Sequence, residues 1–140
     1  MARGGTEIVQ YNQDRGLVTD AVGPFPFRIS GTRVTDPRAA MVPLAPDHPV
    51  LNRPNRITPA DFQGWVQERG TYFAQDWDPR YVPVLATADA GEPPSGGSLI
   101  VAPHGKGYFV YTGLGFFRQL PEGVPGAYRL FANLLALTSR

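Results

Sequence analysis

The sequence predicts an α/β fold, with one sheet, a C-terminal β-hairpin and two main helices. Three observations carry that prediction. Elements follow one another as strand, irregular segment, helix, strand, hairpin and helix. The 140 residues are 42% hydrophobic and 11% aromatic, enough for one packed core in a single domain over residues 1–140. The 16 glycines and 15 prolines are spread along the chain, a pattern of short elements joined by tight turns. An open parallel sheet needs helices on both faces, so two helices predict a partial sheet.

Each element has its own signal. Residues 6–12 (TEIVQYN) read as a strand, and adjacent Ile8 and Val9 suit burial on both faces. Residues 12–27 show no dependable period and read as loop, with a short strand at 27–30. Pro37, Pro43, Pro46, Pro49 and Pro54 exclude a long helix or central strand over 35–56. Asp36-Pro37 suits one helical turn there, and MVPL suits an edge strand. Residues 58–70 (TPADFQGWVQERG) give the strongest helix signal. Thr58 caps, Pro59 takes the first position and Asp61 the third, beside the positive end of the dipole. Phe62, Trp65, Val66 and Arg69 share one face, and Gly70 suits the stop. Residues 81–89 read as a strand and 91–97 as a loop. Residues 98–113 read as strand, turn and strand, with the turn over Pro103–Gly107. Pro125 and Gly126 open a last helix with a stripe of Ala127, Leu130, Phe131, Leu134 and either Leu135 or Leu137.

Composition removes several classes of function. A net charge of +1 with 18% charged residues is no footprint for nucleic acid. The absence of cysteine excludes a disulfide framework, a thiolate zinc site and a Cys nucleophile. No apolar run approaches the roughly 20 residues of a membrane span. No apolar segment of a targeting signal precedes the first strand, and the compartment stays open. Lys106 is the sole lysine beside 12 arginines, a bias expected of a GC-rich bacterial genome. The chain enters its first strand almost at once, which reads as the C-terminal part of a longer architecture.

The strings HPVLNRPNRITPADFQGWVQERGTYF, YVPVLATAD and GGSLIVAPHGKGYFVYTGLGFFRQLPEGVPGAYRLFANLLAL carry a likeness. They resemble the C-terminal part of a class I glutamine amidotransferase-like domain, in the form appended to bacterial PIG-L (LmbE-type) deacetylases. A looser resemblance is to ThuA-like proteins and to the trimerisation domains of some β-galactosidases. The likeness covers roughly residues 4–138. GVPGAYRLFANLL and FQGWVQERG are its more specific parts; the GKG hairpin alone is weak. The resemblance implies a partial flavodoxin-like sheet, in a fragment of a larger amidotransferase-like domain. It implies an accessory or interaction role beside a zinc-dependent N-acetylglucosamine-type deacetylase. The partner would be the rest of the same polypeptide or a second copy, with carbohydrate as a possible ligand. No catalytic residue carries over: there is no Cys elbow, His104 is followed by Gly105 and Lys106, and DHPVLN at 47–52 lacks the acid pair of an HPDD motif.

The remaining candidates are weighed on their residues. His48 and His104 are the only histidines, and no spacing calls for a metal or a cofactor. His48 before Pro49 reads as an extended turn residue, and His104 as an exposed hairpin residue. Ser30, Ser95, Ser98 and Ser139 lack an elbow context. Asp76 and Asp78 flank Trp77, and a glycosidase carboxylate pair cannot be read from them. Gly105 and Gly107 around Lys106 do not make a phosphate loop. Arg53, Asn55 and Arg56 read as residues holding their own loop. What remains is a surface for a ligand or partner, with Trp65, Glu68, Arg69, Trp77, His104 and Arg118 as its candidates. Tyr72, Phe73 and Tyr81 add aromatic area, for which core filling is the competing reading. Arg118 is placed beside a cleft at the strand ends. A ThuA-like sugar-related enzyme using His104, Glu68 or Asp76 is one alternative, and a stand-alone carbohydrate-binding module built on the aromatic segment is the other.

Overall fold

A computed structural model describes residues 1–13, 15, 17 and 21–138. The strands are β1 (Thr6–Gln10), β2 (Arg28–Ile29), β3 (Arg33–Val34), β4 (Met41–Pro43), β5 (Gly70–Thr71), β6 (Ala74–Gln75), β7 (Val82–Thr87), β8 (Ser95–His104) and β9 (Gly107–Thr112). Two helices follow, α1 (Phe116–Gln119) and α2 (Pro125–Leu135). The fold is α/β, built on a five-stranded mixed sheet in the order β1-β9-β8-β7-β4 and consistent with a partial flavodoxin-like sheet. The β1–β9 pair is parallel, and the other three pairings in that sheet are antiparallel. Two small ribbons, β2–β6 and β3–β5, lie outside it.

Strand alternation separates two cores. Leu99 and Val101 of β8 and Val110 of β9 face a core shared with Ala127, Leu130 and Leu134 of α2. Ile100 and Ala102, with Phe109 and Tyr111, face the other way, onto Phe27, Ile29, Ala74 and Tyr81. The second face is therefore covered by the β2–β6 ribbon and its aromatic neighbours, where a doubly wound sheet would use helices. β1 is an edge strand whose Ile8 packs on the first core and Val9 on the second. β4 is the opposite edge, as MVPL predicts, and Pro43 fits there because an edge strand leaves alternate donors unused.

The last helix follows its sequence signal, with Ala127, Leu130, Leu134 and Leu137 buried. Leu135 is 63% exposed, which decides the stripe in favour of Leu137. Gly126 is required, because a Cβ there would fall on the backbone of Asp61. Asn133 of α2 holds the proline-rich loop: its amide donates to the carbonyls of Val50 and Asn55, both at 2.7 Å, and its oxygen accepts from Asn55 N–H at 2.9 Å. Asn55 thus holds its own loop, as expected.

The helix expected over 58–70 is a correction. Only Pro59–Phe62 turns, as a short 3-10 segment. The start is as read, with Thr58 N–H donating to the Asp61 carboxylate at 2.8 Å. Gly64 and Gln67 then take positive φ, +77° and +65°, which breaks any helix. The Gln119 side chain replaces the missing helical bonds, accepting from Val66 N–H at 2.7 Å and donating to Val66 C=O at 2.9 Å. Gly70, read as a helix stop, lies in β5. The hairpin turn is also shorter than expected: Pro103 and His104 pair with Tyr108 and Gly107, leaving Gly105 and Lys106 to turn.

Candidate functional site

The parallel strands β1 and β9 end together, and the residues just beyond them meet residues 67–72. Tyr11 follows β1 and stays in register, its N–H donating to Thr112 C=O at 2.8 Å. Beyond β9, Gly113 C=O accepts from Thr71 N–H at 2.9 Å, and Gly115 leads into α1. This is where open α/β sheets place ligands, outside the carboxyl ends of their strands.

Glu68 is the hub. Its Oε1 accepts from Tyr11 O–H at 2.5 Å and from Arg118 Nε at 2.9 Å, and its Oε2 accepts from Thr71 Oγ1 at 2.9 Å. Arg118 Nη1 donates to Gln67 Oε1 at 2.8 Å. Burial pushes the Glu68 carboxyl up, but the bonds from Tyr11, Arg118 and Thr71 and the Arg118 charge outweigh it. The net shift is downward, so Glu68 is ionised at neutral pH. Burial and the neighbouring carboxylate raise the Tyr11 phenol, which stays protonated. The Glu68 bond raises the Arg118 guanidinium, which stays charged.

Aromatic rings frame the hub. Tyr11 stands edge-on to Tyr72 and Phe117, with centroids 5.2 and 4.7 Å apart. Phe117 is 51% exposed, and the Arg118 guanidinium lies 4.7 Å from its ring centre. Gln13 donates to the Tyr72 hydroxyl at 3.0 Å. A hollow of about 440 Å³ beside Tyr72 is lined by Gln13, Arg15, Ser30, Gly31 and Tyr72. The buried Tyr111 hydroxyl donates to Tyr72 C=O at 2.6 Å and accepts from Asn12 N–H at 3.4 Å, tying the two segments together. Three of the four non-glycine residues with positive φ among the described residues belong here: Tyr11 at 50°, Gln67 at 65° and Tyr72 at 60°. Such backbone costs of order 1–3 kcal/mol each and persists only where its surroundings over-determine it.

The six sequence candidates separate. Glu68 and Arg118 come together in this cluster. Trp65 and Arg69 are corrected from surface to interior, at 5% and 4% exposure. Trp65 donates through Nε1 to Asp61 C=O at 3.1 Å and packs against Phe62 and Phe116. Arg69 lies over the rings of Phe62 and Trp65 and donates to Phe62 and Ala39 carbonyls at 2.5 and 2.9 Å. Burial lowers its guanidinium to about 10, with the Asp36 charge acting against that, so it remains charged at neutral pH. Phe73 and Tyr81 are buried as well.

Trp77 is half-buried elsewhere, in a groove of about 630 Å³ lined also by Asp76, Asp89, Pro93 and Pro94. Thr87 lines the same groove, and its buried hydroxyl has no hydrogen-bond partner among the described residues. His104 is half-buried against Phe25 and not fully exposed as expected. It pairs with Gly107 at the start of β9, whereas Glu68 lies beyond the end of that strand. At about 3.3 Å per residue the six residues of β9 put them roughly 20 Å apart. The structure therefore does not join His104 to Glu68.

Other candidates are occupied locally. His48 is extended, as expected, and accepts from Val50 N–H through Nδ1 at 3.2 Å, while burial lowers its pKa. That engaged nitrogen, with Val50 and Leu51 following Pro49, does not fit the ligand set of an HPDD zinc motif. Ser30 donates to Phe73 C=O, Ser98 to Leu85 C=O, and Ser95 accepts from Gly97 N–H; Ser139 lies outside the described residues. Asp78 is held by Arg80 through bonds of 2.8 and 3.0 Å. No group of three or more His, Asp or Glu suited to a metal ion occurs among the described residues. No helix among them is long and apolar enough to cross a membrane.

Sequence reasoning missed Tyr11, Thr71 and Phe117 as parts of the site. One available signal is that Tyr11 and Phe117 each closely follow a strand of the parallel pair. Comparison with models of known families, with curated proteins and with solved structures found no match.

Proposed function

We propose that this chain is a non-catalytic accessory or interaction domain of a PIG-L-type sugar N-deacetylase polypeptide. The observation that carries the non-catalytic reading is the state of Glu68. A general base needs a pKa near the working pH. Glu68 gives its oxygens to Tyr11, Arg118 and Thr71, and those partners hold its pKa down. It acts as a strut between the ends of β1 and β9. The deacetylase association rests on FQGWVQERG and GVPGAYRLFANLL. The first of these strings supplies Glu68, and the second supplies the helix whose Asn133 holds the proline-rich loop. Zinc chemistry belongs, in this reading, to the catalytic part of the polypeptide.

The test is turnover. Purified chain is incubated with N-acetylglucosamine derivatives and, separately, with glutamine, and released acetate and ammonia are measured. No release above buffer is expected. Release abolished by Glu68→Gln or His104→Ala overturns the reading. A reading frame holding an HPDD motif with this chain supports the deacetylase association, and a frame without one removes it.

A further inference from the structure

We propose that the rim formed by Tyr11, Gln13, Gln67, Tyr72, Phe117 and Arg118 is a binding site for a neutral carbohydrate. The proposal rests on the interaction-domain reading and names the ligand class for it.

Three observations point to this ligand. The first is area. Phe117, 51% exposed, lies near the carboxyl ends of β1 and β9, with Tyr11 edge-on to it and Tyr72 edge-on to Tyr11. A rigid ring gives a large contact for little entropy, and its face suits the C–H side of a pyranose. The hollow of about 440 Å³ next to Tyr72 is in the size range of small-molecule sites.

The second is charge. Arg118 is paired with Glu68 at 2.9 Å, so its positive charge is already met. A phosphate or carboxylate arriving at Arg118 would compete with Glu68, whereas an uncharged hydroxyl would not; Arg15, which also lines the hollow, is the second cation that the anionic arms of the experiment test. Arg118 spends Nε on Glu68 and Nη1 on Gln67 and also meets the Tyr11 hydroxyl, while its side chain stays 34% exposed to an incoming acceptor.

The third is the mixture of donors and acceptors. Gln13 donates through its amide nitrogen to Tyr72, which leaves its oxygen as an acceptor. Gln67 accepts from Arg118, which leaves its nitrogen as a donor. The Tyr72 oxygen accepts from Gln13, which leaves its O–H as a donor. A sugar hydroxyl both donates and accepts, so it matches such a rim; an anion only accepts. The positive φ values of Tyr11, Gln67 and Tyr72 hold three of these six side chains in place.

The experiment is titration of the full chain with neutral tetrasaccharides of glucose, mannose and N-acetylglucosamine. Glucuronate and inorganic phosphate are the anionic arms. Binding is read by calorimetry and by shifts in the ring resonances of Phe117, Tyr72 and Tyr11. At least one neutral saccharide is expected to bind and to weaken at least tenfold in Phe117→Ala and in Arg118→Ala. Leu135→Ala, on the exposed side of α2, is expected to bind as the parent does. Arg118→Lys keeps the charge but loses the fork and is expected to bind weakly. Binding of only the anions, no binding at all, or binding unchanged in both Phe117→Ala and Arg118→Ala overturns the proposal. Saccharide recovered intact keeps the non-catalytic reading even if this site fails. Saccharide recovered cleaved or deacetylated overturns that reading, whatever Phe117→Ala does.

Discussion

Arg69 and Arg118 both serve the segment around Glu68, and the fold treats them in opposite ways. Arg69 lies over the adjoining rings of Phe62 and Trp65, with donors spent on the Phe62 and Ala39 carbonyls and almost no contact with solvent. Arg118 lies beside one exposed ring, Phe117, and its side chain is 34% exposed. It spends Nε and Nη1 on the side chains of Glu68 and Gln67. The same cation with an aromatic neighbour is thus a scaffold bolt in one place and a contact surface in the other. What distinguishes them is where their bonds go. Arg69 satisfies buried backbone carbonyls, whereas Arg118 orders side chains that frame an open rim.

The comparison can be broken from the Arg69 side with large effects. Trp65→Ala removes one of the two ring plates and is expected to lose about 3–5 kcal/mol in urea unfolding, as large aromatic truncations in cores do. Arg69→Ala strands two buried carbonyls, at roughly 1–3 kcal/mol each, and is expected to lose about 3 kcal/mol. Arg69→Lys should rescue little of this, because an ammonium lacks the planar fork that serves both acceptors. Asp61→Ala removes the acceptor of Thr58 N–H and the partner of Arg129 Nε at 2.8 Å; about 1–2 kcal/mol is expected from the lost cap. Arg118→Ala leaves Glu68, whose side chain is 12% exposed, to Tyr11 and Thr71, and a smaller loss of about 1 kcal/mol is expected. A midpoint as low as that of Arg69→Ala would erase the distinction between the two arginines.

Acid sharpens the same contrast. The folded Glu68 carboxyl titrates below its ordinary value of 4.5, so it contributes stability that is fully present above that value. The contribution fades as pH falls through the lower, folded value. The stability gap between the parent and Glu68→Gln is therefore expected to be constant from neutral pH down to about 5 and to close on further acidification. In Arg118→Ala the gap should be smaller throughout, because one of the interactions that lowers the carboxyl is gone.

Much of the fold was legible because its signals are local. The hairpin, the edge strand at Met41–Pro43 and the stripe of α2 depend on neighbours within a few residues. The helix over 58–70 was misread for a tertiary reason. Gln119, more than fifty residues away, supplies the bonds that a helix would have given Val66, and the chain is free to turn at Gly64 and Gln67. Arg69 was placed on a surface because arginine is rarely buried, and only the rings of Phe62 and Trp65 and the carbonyls of Phe62 and Ala39 show why this one is. Glu68 and Arg118 were visible as charged residues in the right strings. Their union with Tyr11 was not, since that needs the parallel pairing of β1 with β9 across about a hundred positions.

Asn133 does for the proline-rich loop what a strand partner would do for an ordinary segment. One side-chain amide supplies two donors and an acceptor to backbone that prolines have barred from regular pairing. The loop and the later turns of α2 are thereby one cooperative unit: amide protons at Asn55 and along the 130s should exchange with solvent together, and a protease able to cut near Arg53 would do so only when that stretch of α2 has also let go.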